Sequence, residues 1–579
     1  MSKFDYEEYL QTQPQQYNLN ISYNNICYYV NDGKKERKVL DNLSGTFKTG
    51  LNAIMGGSGS GKTSFLNVLA KKIDFKKHKV EGQSTINGLE YDQRLFQCFA
   101  NYAQQDDILL PTLTVREYFE FASNLKLQHL SYEKRQQQVD KIINLLMLQK
   151  CQNTLIGDHI NRGISGGEKK RVCIGIELIG NPKILFLDEP TSGLDSFTAF
   201  VIIKMLKKYA EEQSCVIIFT VHQPSSDIWE LFDQVTFLCE GRFIYNGHRQ
   251  NIKDYFEKQG FYFPILQNPA DYIMSLVQSQ NQLIQEKLLN TQQQQSDQLS
   301  NQLEQVNQDN TKEICKHKLD LLLKKQNFQN FTSVCKILIK RQLLNIKRNR
   351  ILLKARFFQY LFTNLFYGLI YFNIGNKTES PQDVFQICKC ILLLGLGCFF
   401  QSINPQTITF SSEKEVFMKE YNSQMYSALN YYLSKMLPEI ILCSYFGLQV
   451  SLICFFMIGF EGSTSNFFFF ALNFILITNI GNSVGILSSA MFQQSKVAIS
   501  FIIGFLVPQV MFSGVYKNLN ELPEYVSWCR YLTPIFYSNN AIINDLFSGK
   551  TMIYNPVEQL HFDLDKWVCQ NCLDEIYQY

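Results

Sequence analysis

Charge is what this chain has least of. Lys and Arg total 55 and Asp and Glu 52 among 579 residues, and the charged fraction of 18% lies below the roughly 25% of ordinary soluble domains. The net charge of +3 gives no reason to expect nucleic acid as a partner. The 16 cysteines lack the dense, regular spacing of a disulfide scaffold, so most are expected to be reduced and cytosolic. The opening "MSKFDYEEYLQTQPQQYNLN" has no apolar core and does not read as a cleaved signal peptide. Aromatics, by contrast, are abundant at 14%, with 46 Phe. A mean hydropathy of only −0.12 then reads as a soluble part averaged with a very apolar one. The length calls for at least two domains.

Residues 1–20 read as a tail, and 21–277 alternate short apolar runs with helix-period stretches. "LNAIM", "KILFLDEP" and "CVIIFTV" are such runs, the pattern of a parallel α/β sheet. Residues 278–330 are a Gln-rich linker too polar to bury a core, and 331–356 a basic connecting elbow. Uncharged runs at 357–375, 390–412, 440–460, 467–491 and 497–516 then match the roughly 20 apolar residues needed to cross a bilayer. Five such runs with short loops are improbable as buried helices of a soluble core. An all-helical polytopic domain is therefore expected after the α/β domain.

Lys340, Arg341, Lys347, Arg348 and Arg350 precede the first run, and Lys414, Lys419 and Lys435 lie between the second and third. The intervening "NKTESPQDV" holds only Lys377, so positive-inside reasoning puts the N-terminal domain in the cytosol of a multi-pass membrane protein. The Asn376 sequon falls on the outer side, but others at Asn20, Asn42 and Asn330 would be cytosolic, so sequons discriminate little. "YLTPIFYSNNAIIN" at 531–544 is uncharged but too short to cross, which fits a re-entrant or interfacial helix.

"GGSGSGKT", Gly56 to Thr63, is a full phosphate loop between a strand and a helix. Gly56, Gly57, Ser58, Gly59, Ser60 and Gly61 would cradle phosphates with backbone N–H groups. Lys62 would reach the terminal phosphates, Thr63 would ligate Mg²⁺, and Ser64 completes the ATP-binding loop. "KILFLDEP" ends a buried strand in two carboxylates, assigning Asp188 to the metal and Glu189 to general-base work. Gln105 in "YAQQDD" and His222 in "FTVHQPSSD" would each mean little alone.

Together with "ISGGEKKR" (164–171) and "SGLDS" (192–196), this ordered set resembles the ATP-binding cassette family over some 250 residues. The resemblance implies an ABC-type ATPase using ATP and Mg²⁺, with Gln105 a metal-contacting Gln loop and Glu189, His222 and Gln105 catalytic. It implies that Ser165, Gly166, Gly167 and Glu168 serve ATP held by a second copy in a head-to-tail pair, and that Asp195 also belongs to the ATP-binding set. Glu168 where many relatives have Gln, "NPADY" at 268–272, and a cassette preceding the spans look like the White/G-type half-transporters. These are homodimeric or heterodimeric movers of lipids, sterols or other apolar solutes. ATP binding would close the cassettes and hydrolysis reset them. The implied substrate cavity includes Cys398, Phe399, Gln401, Ile503 and Val507, and the implied adenine-stacking aromatic is Tyr28 or Tyr29.

Relatives have a sixth span, whereas 517–579 supplies no further run and ends "FDLDKWVCQNCLDEIYQY". Either the sequence belongs to a longer protein or the chain is a five-span variant that depends on a complete partner. By the topology above, Cys569 and Cys572 would lie outside and could pair. A non-transporting ABC ATPase is the rival class, and the apolar runs argue against it.

Overall fold

The computed structural model describes residues 19–31, 36–73, 78–93, 96, 99–158, 162–264, 267–278, 330–376, 381–460, 463–513, 515, 522–547, 551–553 and 561–563. The N-terminal tail up to residue 18, most of the Gln-rich linker, Lys377, Cys569 and Cys572 lie outside the described residues. The chain divides into a unit built on Met1–Asn330 and a second formed by Phe331–Tyr421 and Tyr426–Tyr579.

The first unit holds two sheets. Strands β1 (Ile21–Asn31), β2 (Glu36–Phe47), β4 (Lys79–Ile86) and β5 (Leu89–Glu90) form an antiparallel sheet in the order β2-β1-β4-β5. The second sheet joins β3 (Gly50–Gly56), β6 (Ala100–Ala103), β7 (Ile184–Leu187), β8 (Val216–Thr220), β9 (Gln234–Cys239) and β10 (Arg242–His248). Its order is β10-β9-β3-β8-β7-β6, parallel throughout except for the β9–β10 edge. Strands β7 and β8 are buried at every residue, which is why "ILFL" and "VIIFT" are continuously apolar rather than alternating. Phe65 of the helix that follows the phosphate loop packs edge-on against Tyr23 and Phe243, and Phe47 lies tilted against Tyr23, so the four rings join that helix to both sheets. Because β3, β8, β7 and β6 are neighbours and parallel, their carboxyl ends line up at one rim, where open α/β sheets bind ligands.

The second unit is helical, and all five expected spans fall on helices, with different limits. The first is Arg350–Ile370, not 357–375, so the elbow does not run to residue 356. Helix Phe331–Arg348 ends at Asn349, whose side chain caps the next helix by accepting from the Leu352 amide. Its far end stops at Ile370 because the amides of Asn373 and Gly375 bond instead to the carbonyls of Met457 and Ile458. The second helix, Pro381–Asn422, has 42 residues; the third and fourth are Ala428–Ile458 and Thr464–Met491. The fifth, Ser495–Met511, has 17 residues and ends short of the expected 516. Among the described residues, the second, third and fourth are long and apolar enough to cross a membrane by length and composition alone. The first is diluted by Arg350, Lys354 and Arg356, and the fifth sits at the lower limit of about 17 residues. The expected re-entrant segment is helix Pro534–Phe547, tied to the fourth by Ser538 donating to Asn473 at 2.6 Å.

Glycines let these helices approach closely. A Cβ on Gly481 would stand 2.7 Å from the Phe399 carbonyl, and one on Gly485 2.6 Å from that of Ile403. The buried charges described in this unit are paired: Arg341–Glu420 at 2.7 Å, Lys435–Glu413 at 2.7 Å and Arg356–Glu439 at 3.0 Å.

Candidate nucleotide site

The phosphate loop leaves the carboxyl end of β3 and enters helix Lys62–Leu69 through Gly61, whose φ of 101° favours glycine. Gly56 must also lack a side chain, since a Cβ there would come within 2.3 Å of the Leu238 carbonyl. Lys62 is 6% exposed, and its ammonium donates to the carbonyls of Gly56 at 2.8 Å and Gly57 at 2.9 Å. Burial pushes its pKa down, while the nearby Glu189 and Asp188 charges oppose that shift. Ser60 Oγ is buried without a hydrogen-bond partner, and a Cβ on Gly57 or Gly59 would meet nothing within 4 Å. An orphaned hydroxyl in a loop with open space before it fits phosphate oxygens.

Asp188 and Glu189 follow β7. Thr63 donates to Asp188 Oδ1 at 3.2 Å, and the buried Thr220 hydroxyl donates to the same oxygen at 2.7 Å. Thr220 also accepts from the Glu189 amide at 2.8 Å. Glu189 has a φ of 47°, a left-handed conformation that costs a non-glycine residue on the order of 1–3 kcal/mol and that clusters at functional sites. Both its carboxylate oxygens are engaged: Gln105 Nε2 donates to Oε2 at 3.0 Å, and His222 Nε2 lies 2.8 Å from Oε1. Gln105 follows β6 and His222 follows β8, so three adjacent strand ends bring the constellation together. The hard oxygens of Thr63 and Asp188 suit Mg²⁺, which takes one or two protein ligands and otherwise phosphates and water. Among the described residues no group of three or more His, Cys, Asp or Glu could hold a metal by itself.

The signature residues are built differently. Ser165 caps helix Gly166–Leu178: its hydroxyl accepts from the Glu168 amide, and its own amide donates to Glu168 Oε2 at 2.8 Å. Burial opposes ionisation of Glu168, yet the Ser165 amide and hydroxyl hold its carboxyl below the usual range. Ser165 and Gly166 are exposed, and Gly167 packs towards Thr198 and Leu194. Asp195 caps helix Ser196–Gln213 by accepting from the Thr198 amide at 3.0 Å. That bond holds its carboxyl below the ordinary value. Tyr28 is 7% exposed and edge-on to His78, whereas Tyr29 is partly exposed with Lys38 and Lys79 over its ring.

The expected cavity residues do not share one surface. Cys398, Phe399 and Gln401 are buried, the first two in the apolar core of the helical unit, while Ile503 and Val507 are each 56% exposed. The close approach of Gly481 to the Phe399 carbonyl explains why that stretch is covered within the unit. Thr220 is a site residue that sequence reasoning missed. As the last letter of "VIIFT" it reads as β-branched strand filler, and only its place at the strand end hints otherwise.

The model described as "ABC transporter" matches residues 40–192, and two described as "ABC-2 type transporter" match 222–359 and 333–547. ABC transporter G family member 22 of Dictyostelium discoideum is 32% identical over 92% of this chain and 87% of its own length. Protein white of Drosophila melanogaster is 31% identical over 88% of this chain and 74% of its own. The broad substrate specificity ATP-binding cassette transporter ABCG2 of Bos taurus is 31% identical over 92% and 85%. Taken with the phosphate loop, the paired carboxylates and the apolar helices, these matches make the chain a multi-pass ABC transporter of the G family, hydrolysing ATP to drive membrane transport.

Proposed function

We propose that the chain is one half of a head-to-tail dimer that moves a hydrophobic or amphipathic molecule, with its ATPase unit in the cytosol. The observation that carries the dimer is the exposed signature. Lys62 bonds the phosphate loop, Thr63 bonds Asp188, Thr220 links Asp188 to Glu189, and Gln105 and His222 hold Glu189, while Ser165 and Gly166 take no part in these contacts. A capped helix start with exposed glycine amides suits the phosphates of an ATP bound by another copy.

Within one site, Lys62, the loop amides and Ser60 would bind the phosphates, and Thr63 and Asp188 would hold Mg²⁺ with the remaining Gln105 oxygen alongside. The metal supplies charge neutralisation on the transferred phosphoryl group. Glu189 is the base that would accept a proton from water. His222 and Gln105 fix its two oxygens, and Thr220 fixes the backbone carrying it. Two such sites from identical halves form by a two-fold axis. The cargo chemistry rests on the exposed Ile503 and Val507 beside an otherwise apolar helical unit, and on the breadth stated in the name of the bovine relative.

The experiment is ATP-dependent accumulation of fluorescent lipids and apolar dyes in inside-out vesicles, run beside Glu189→Gln. Accumulation of at least one probe that vanishes in the variant is expected. If no probe moves while ATP is hydrolysed by a dimer, the cargo class is wrong; if the active particle is a single chain, the dimer is wrong.

A further inference from the structure

The signature "ISGGEKKR" carries three consecutive cations, and the second has an assignment that phosphate binding does not explain. Lys169, partly exposed, donates to the Gly157 carbonyl at 2.9 Å. Lys170 instead points into the domain and is 6% exposed. Its ammonium donates to the main-chain carbonyl of Gln105 at 2.5 Å and pairs with Asp107 at 2.9 Å. Burying a lysine costs several kcal/mol unless it is met by charge and hydrogen bonds, as it is here. Both partners lie on the loop after β6, the loop whose Gln105 side chain holds Glu189. The other end of the same helix is fixed to the same strand region. Asn101 of β6 donates to the Glu177 carbonyl at 2.5 Å, and the buried Glu177 carboxylate pairs with Lys126 at 2.9 Å. The signature helix is thus pinned at two points to the strand and loop that position the general base.

We propose that Lys170 is a positioning residue that couples the two ATP sites of the dimer. The inference rests on the head-to-tail arrangement proposed above. In that arrangement the N-terminus of helix Gly166–Leu178 faces ATP held by the partner, while Lys170, five residues from Ser165, holds Gln105 of its own chain. Occupation of the partner's site shifts or steadies this helix, and Lys170 transmits the change to Gln105 and so to Glu189. Closure at one site then sets the geometry of the base at the other, and linkage requires the reverse to hold for binding. Lys170 touches neither nucleotide, so its loss acts on alignment and cooperativity rather than on affinity for a single ATP.

The test uses the full chain reconstituted in lipid nanodiscs, with ATP hydrolysis followed against ATP concentration and binding followed with a fluorescent ATP analogue. Lys170→Met is expected to lower kcat about 10- to 100-fold, the scale of a small misplacement near the chemistry. Its Hill coefficient should drop to about 1 from a wild-type value that two coupled sites raise above that, with analogue binding retained. Lys170→Arg, which can still donate to the carbonyl and pair with Asp107, should restore cooperativity. Asp107→Asn keeps the carbonyl contact and should lose cooperativity in part, giving a milder variant should Lys170→Met fold poorly. Unchanged kcat and Hill coefficient in Lys170→Met would overturn the proposal. So would parallel loss of binding, melting temperature and activity that Arg does not rescue, because that pattern marks a merely structural lysine. A wild-type chain that is a monomer in the nanodisc by photobleaching, with no cooperativity, would sink the dimer itself and the coupling with it. A wild-type dimer with an indifferent Lys170 would sink the coupling alone.

Discussion

At the level of single residues, the site works by leaving no catalytic group free to wander. Thr220 shows this most clearly, because one hydroxyl donates to Asp188 and accepts from the Glu189 amide, linking the metal-side carboxylate to the backbone of the base. It is fully buried, so Thr220→Val leaves Glu189 with an unpaired amide and Asp188 with one donor fewer. The expected cost is about 1–3 kcal/mol of stability, the penalty of an unsatisfied buried group, read as a lower melting temperature. Hydrolysis should fall with it while nucleotide binding persists, since Lys62 and the loop are untouched. Glu189→Gln should be harsher, lowering kcat by about 10²–10⁴-fold, the usual worth of a general base, while retaining ATP. Retained hydrolysis in that variant would remove Glu189 from the role of base. Much of this site was legible in the sequence. The phosphate loop, Asp188, Glu189, Gln105 and His222 each end or follow a short apolar strand, and parallel sheets put chemistry there. Thr220 and Lys170 were not legible, because a threonine closing a strand and a lysine in a basic run look like filler until their partners are known.

At the level of elements, helix starts and stops are set by caps, and the caps carry testable consequences. The first turns of the signature helix and of the helix after "SGLD" each rely on a carboxylate held below its ordinary pKa, Glu168 in the capping box with Ser165 and Asp195 as the cap itself. A depressed folded value means the stabilisation is complete above the unfolded value, 4.5 for Glu168, and is lost as pH falls through the lower folded one. The protection of amides in the first turn of helix Gly166–Leu178, relative to their intrinsic exchange at each pH, should therefore fall as the pH is taken below that point. Glu168→Gln should blunt the response, since a neutral amide oxygen still accepts from Ser165 at every pH. In the helical unit, Lys414 donates to the carbonyls of Ser489, Ala490 and Phe492 at 3.3, 3.0 and 3.0 Å and closes the end of helix Thr464–Met491. Lys414→Met should lower the melting temperature in detergent, losing about 1–3 kcal/mol, whereas Lys414→Arg should keep most of it. Such tertiary caps explain why the expected span limits were shifted. Apolar runs mark where a helix meets lipid. The ends depend on groups distant in sequence, such as the Asn373 and Gly375 amides bonded to Met457 and Ile458.

For the whole molecule, composition already separated a soluble part from a very apolar one, and the ordered motifs carried the resemblance that makes the first an ATPase. Which helical residues face a partner or a cargo was not legible, because an apolar side chain reads the same whether it meets its own unit, lipid or a second copy. Burial separates the five expected cavity residues into Cys398, Phe399 and Gln401, covered within the unit, and Ile503 and Val507, open on helix Ser495–Met511. In a two-fold dimer an exposed stripe near the axis meets its own copy. On a cysteine-free background in native lipid, Ile503→Cys or Val507→Cys should form a disulfide-linked dimer under mild oxidation. A cysteine restored at Cys398 should neither cross-link nor react with a membrane-permeant maleimide until the protein is unfolded. ATP with vanadate should change the yield at Ile503 or Val507 if closure of the ATPase units reshapes the axis, and Glu189→Gln with ATP alone should do the same by holding the closed state. Labelling of both positions by a lipid-soluble carbene at equal rates, with no cross-link in any nucleotide state, would place the stripe against lipid. The cargo path would then have to be sought on another face of the helical unit.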